Sequence, residues 1–113
     1  MDLFDAADLI ERAGGAEGPY LEFLRRASLS VGMYVIPTGG VDRQQPHSED
    51  EIYCVLQGWA TMTVAGEDRS VGPGAVIFVA AGVEHRFHDV KEALGVLVVF
   101  APPEYSQAEV PRH

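Results

Sequence analysis

The chain has 113 residues (12.2 kDa), with 8 Lys plus Arg against 17 Asp plus Glu, giving a net charge of −9. That excess repels phosphate backbones and anionic lipid, which excludes nucleic acid and membrane surfaces as partners. The one cysteine, Cys54, excludes an internal disulfide and a cysteine-rich zinc site, and no apolar run approaches the ~20 residues of a membrane-spanning helix. The length predicts a single domain over 1–113. Its opening, MDLFDAADLIERAGG, lacks the basic-then-apolar layout of a secretory signal, which predicts a cytoplasmic protein.

From Asp5 to Ala13, residues Ala6, Leu9, Ile10 and Ala13 recur at helical spacing. Asp5 suits an N-cap and Gly14-Gly15 supplies a stop, so one short N-terminal helix is predicted. Beyond Gly18-Pro19 the texture turns to β. Strand-like runs cover Tyr20 to Leu24, Leu29 to Ile36, Glu51 to Gln57, Trp59 to Ala65, Ala75 to Val79, His85 to Val90 and Leu94 to Phe100. Turn signals separate them at Thr38-Gly39-Gly40, Gly58, Gly66-Glu67, Gly72-Pro73-Gly74 and Ala81-Gly82. Seven or eight short strands predict an all-β antiparallel sandwich or barrel. Ala75 to Val79 and Leu94 to Phe100 are apolar at nearly every position, so both of their faces need cover. One short helix and a tail are too little for that, which predicts a homodimer burying more than ~1,000 Å². The tail from Pro102 to His113 has little periodicity and is expected to lie along the surface or fray.

The chain carries four histidines: His47, His85, His88 and the tail residue His113. Gln45, His47, Glu49 and Glu51 share one face of an extended segment. A straight strand sets His47 and Glu51 about 13 Å apart, too far for two ligands of one ion. Ser48-Glu49-Asp50 forms turns readily, and a bend there brings Glu51 back over His47. An acidic solvated loop fits the same residues equally well. On a strand, His85 and His88 have opposite parity, so only one of them faces the interior. Cys54 reads as a small apolar filler, Trp59 as packing, and Asp42 and Arg43 as a solvated loop.

The spacing resembles the two motifs of the cupin superfamily. In the first, Gly39, Gln45, His47, Glu51 and Gly58 fall in register, with Gln45 at the first histidine position. In the second, Gly74, Ala80, Gly82, His85 and Asp89 fall in register, with Ala for Pro and Asp for Asn. The resemblance implies a jelly-roll barrel of the double-stranded β-helix type and selects His85 over His88. It implies a divalent transition metal (Fe, Mn, Ni or Zn) held by His47, Glu51 and His85. Gln45 would serve as a weaker amide ligand or hydrogen-bond a metal-bound water. The function it implies is enzymatic chemistry of dioxygenase, isomerase or lyase type on a small organic molecule. The competing reading is a non-catalytic module that binds a small ligand.

Overall fold

A computed structural model describes residues 1–42 and 46–106. Helix α1 spans Ala6–Ala13, and Asp5 caps it by accepting a hydrogen bond from Asp8 N at 3.0 Å. Six strands follow: β1 (Tyr20–Arg25), β2 (Ser30–Ile36), β3 (Asp50–Val64), β4 (Glu67–Val71), β5 (Val76–Val79) and β6 (His85–Ala101). All pairings are antiparallel, in the order β1-β2-β6-β3-β4, with β5 also on β3. The architecture is the expected all-β barrel with one short helix.

The strand boundaries differ from expectation in two ways. The runs on either side of Gly58 are one 15-residue strand, and those from His85 to Phe100 are one 17-residue strand. Gly58 is a bend inside a ladder, not a turn between strands. Its φ is +88°, and a Cβ there would stand 2.3 Å from Ala93 O, so only glycine fits. The inward set of β3 is Glu51, Tyr53 and Val55 before the bend and Ala60 and Met62 after it, a change of parity that a bulge produces. The strand β4 (EDRSV) escaped notice because it is a polar edge strand, exposed at every position but Val71. A two-residue turn makes it: Ala65 and Gly66 both have positive φ (50° and 83°), and Val64 pairs with Glu67.

Inward residues of β2, β3, β5 and β6 form the main core, including Tyr34, Tyr53, Met62, Val79, Phe87 and Phe100. A second cluster lies on the outside of the sheet, where Leu9 and Ala13 of α1 cover Met33, flanked by Val35 and Leu97. The helix does not reach β5. There Val76 and Phe78 are 70% and 61% exposed, with Ile52 opposite Phe78 in the ladder and also exposed.

Candidate metal centre

Glu51 and His85 are remote from each other along the β3–β6 ribbon. Glu51 pairs with Phe100, whereas His85 pairs with Val64, thirteen positions further along β3. A straight ribbon would separate them by ~43 Å. The ribbon instead doubles over at Gly58 and Ala93, and Glu51 Oε1 comes to 2.8 Å from His85 Nε2. His47 stands just before β3, where its carbonyl accepts a hydrogen bond from Gly82 N at 2.7 Å. The chain bends over Ser48 and Glu49, and His47 Nδ1 lies 3.3 Å from the same Glu51 oxygen.

The three side chains are buried, at 5%, 2% and 7% exposure for His47, Glu51 and His85. Their donor atoms all lie within 4.8 Å of one another. Yet His47 Nδ1, His85 Nε2 and both Glu51 oxygens make no aligned hydrogen bond among the described residues. Burying polar atoms without partners costs free energy unless something else satisfies them. Separations of 2.8 and 3.3 Å bracket the ~3 Å expected of neighbouring ligands each about 2.1 Å from one ion. Two imidazoles and one carboxylate suit Fe(II), Mn(II), Ni(II) or Zn(II), and three protein donors leave positions open. The residues fit a divalent metal.

Each histidine is held through its other nitrogen. His85 Nδ1 donates to Val83 O at 2.8 Å, which leaves Nε2 facing Glu51. His47 Nε2 is 3.1 Å from Glu104 Oε2. Glu104 arrives on the C-terminal segment, expected to lie along the surface or fray, and the part described, to residue 106, is fastened over the site. Glu104 N donates to the buried Ser30 Oγ at 2.9 Å, and Arg25 donates to Glu104 O at 3.0 Å. Tyr105 N donates to Glu49 Oε1 at 2.7 Å, and the Tyr105 ring lies 5.7 Å from that of His47. Glu49 is 1% exposed, so the solvated-loop reading of this turn does not hold. Phe100 closes the remaining flank of His47, ring centroids 4.7 Å apart.

Electrostatics follow from these contacts. Burial alone would push Glu51 up, but the two imidazoles against it hold its carboxyl at about 2. Burial alone would pull His47 down, but Glu104 and then Glu51 lift it to about 9. His85 is raised as well, burial again being outweighed by Glu51 and the Val83 carbonyl. Without an ion, the cluster therefore binds protons where a cation would sit.

Gln45 and Arg43 lie outside the described residues, as does His113. His88 points away from the cluster, 2.7 Å from Thr63 Oγ1 and 2.9 Å from Asp89 Oδ2. Asp89, at the second motif's Asn position, has φ +49°, a left-handed conformation that Asn and Asp tolerate. Cys54 has outward parity between Val76 and Leu97, and Trp59 lies against Gly72. Asp42 is the clearest departure. It is buried rather than solvated, accepting from Tyr34 Oη and from Phe87 N, both at 2.8 Å. Tyr20 was also missed: its hydroxyl is buried and unpartnered among the described residues, lying over Gly32. Burial, then Glu104, Glu22 and Glu51, raise its pKa, so it keeps its proton.

Fold and donor set together define a small jelly-roll barrel with a histidine–carboxylate cluster inside. Residues 32–100 match the family model described as the cupin domain, and the chain belongs to the cupin family. It is 45% identical over 104 residues to an uncharacterised protein of Streptomyces coelicolor, covering 92% of this chain and 99% of that one. The solved structure of TT1209 from Thermus thermophilus superposes with a TM-score of 0.76 at 22% identity, covering 91% of this chain and 99% of that one. An RmlC-like cupin family protein from Methanocaldococcus jannaschii with a double-stranded β-helix fold superposes with a TM-score of 0.67 at 16% identity, over 74% of this chain and 78% of that one, and this likeness shows the fold. The DMSP lyase DddQ from Ruegeria pomeroyi superposes with a TM-score of 0.65 at 26% identity, over 86% of this chain and 46% of that one.

Proposed function

We propose that this cupin is a metal-dependent enzyme acting on a small organic molecule, with His47, Glu51 and His85 as ligands of one divalent metal. The observation that carries the reading is the convergence of four buried donor atoms from these three residues, none making an aligned hydrogen bond among the described residues. A bound divalent ion would supply Lewis-acid polarisation or an oxygen-activating centre, the chemistry of oxygenases, isomerases and lyases. His47 and His85 offer lone pairs, and Glu51 offsets the positive charge. Tyr20 keeps a proton inside the barrel and can donate a hydrogen bond there.

A second reading, a module that binds a small ligand without turnover, is favoured by the roof that Glu104 and Tyr105 lay over the cluster. It is also favoured by the lack of an interior lysine, since the chain's one lysine, Lys91, is exposed. The exposed apolar strip of Ile52, Val76 and Phe78 supports a homodimer through the β5 face.

Elemental analysis of chain purified without chelator should find close to one transition-metal ion per chain, lost in His47→Ala. A chain that takes up no metal would remove the proposal. Oxygen uptake in the presence of candidate substrates then separates oxygenase from isomerase or lyase chemistry. Retention of a small ligand without turnover selects the binding module.

A further inference from the structure

We infer that Glu104 is a positioning residue for the metal site: it holds the Nε2 side of His47 and thereby makes Nδ1 the ligating atom. This rests on the proposed metal reading. The two nitrogens of an imidazole lie on different edges of the ring, and in His47 they face different carboxylates. Nδ1 lies 3.3 Å from Glu51, on the His85 side, and Nε2 lies 3.1 Å from Glu104. Glu104 is not among the residues whose donors converge, so it is not placed as a ligand. A carboxylate accepting the second N–H of a ligand histidine fixes its tautomer and ring angle and makes the ligating nitrogen more basic.

The pairing is built rather than incidental. The backbone of Glu104 is tied on both sides, by its N–H to Ser30 Oγ and by its carbonyl to Arg25. The next residue is tied to buried Glu49, two positions before the ligand Glu51. The Glu104 side chain is 14% exposed, so few waters compete for His47 Nε2. His85 shows the complementary arrangement: Val83 O holds its Nδ1, leaving Nε2 to ligate. The two histidines would therefore bind through opposite nitrogens, a difference set by Glu104 and Val83.

The test uses Zn(II) as probe and the full-length chain labelled with ¹⁵N-histidine. Long-range ¹H–¹⁵N spectra of the Zn(II)-loaded protein should show His47 metallated at Nδ1 with the proton on Nε2, and His85 the reverse. Glu104→Ala should weaken Zn(II) binding about 10- to 100-fold and lose the single His47 tautomer pattern. Glu104→Gln, which keeps an acceptor, should restore the pattern and much of the affinity. Far-UV circular dichroism and melting of each variant report the fold separately. Wild-type chain that binds Zn(II) through His47 Nε2, or Glu104→Ala that matches wild type in affinity and spectrum, overturns the role of Glu104 while leaving the metal reading intact. Wild-type chain that takes no Zn(II) overturns both.

Discussion

Replacing Glu51 by Gln keeps shape but removes the buried charge that both histidines face, and its effect on the metal-free protein should depend on pH. His47 rises from 6.5 to about 9 in the fold, which at ~1.4 kcal/mol per pKa unit is about 3 kcal/mol. Glu104, which the substitution leaves in place, supplies part of that rise, so the share lost with Glu51 is about 2 kcal/mol. The sign follows from the direction of each shift. A raised imidazolium pKa stabilises the fold fully below 6.5, and the benefit is lost as pH rises through about 9. The depressed Glu51 pKa stabilises it above about 4.5, and that is lost as pH falls toward about 2. In excess chelator the cluster therefore contributes most between about pH 4.5 and 6.5. At pH 6, Glu51→Gln should lower the melting temperature by about 8 °C, at roughly 4 °C per kcal/mol for a domain of this size. Above pH 9 the wild-type carboxylate faces uncharged imidazoles, and a buried charge without a partner is costly. The two proteins should then melt within about 2 °C of each other. Paired melts from pH 6 to 9.5 measure this directly. A Glu51→Gln deficit that stays constant across that range would refute the coupling.

Other perturbations test the remaining inferences. His85→Ala should strip Zn(II) from the chain while His88→Ala retains it, as measured by calorimetric titration; equal losses would contradict the inward placement of His85. Asp42→Ala removes two buried hydrogen bonds to a carboxylate, those from Tyr34 Oη and Phe87 N, and should cost about 3 kcal/mol in urea unfolding. A cost below about 1 kcal/mol would mean the loop is anchored elsewhere. Light scattering at micromolar concentration should give about twice 12.2 kDa for wild type and about 12.2 kDa for Phe78→Glu. A monomeric wild type would mean that the exposed β5 strip has another cover.

Within the cluster, the pair nearest in sequence was the most legible, because its order is local. His47 and Glu51 are four apart, and the turn between them can be read from Ser48-Glu49-Asp50. Parity alone separates His85 from His88 but does not say which one faces inward; only the motif register chose. Glu104 and Asp42 were not legible for the opposite reason. Glu104 reaches His47 across 57 positions from a segment without periodicity, and Asp42 reaches Phe87 across 45. Nothing near either residue signals burial. Both are charged, and burial of a charge is decided by the partner it meets, which a local pattern does not contain.

Gly58 shows the same limit from another direction. As a sequence signal it reads as punctuation, because a turn and a bend both call for positive φ. The structure separates the two through the partner strand: Ala93 O stands where a Cβ would be, and β6 runs on past it. That contact is what folds the ribbon double and brings Glu51 and His85, remote along the ladder, onto one point. The glycine at the end of the first motif thus helps to build the His47–Glu51–His85 cluster without touching it. The ligands supply the donors, and the bend supplies the third dimension in which they meet.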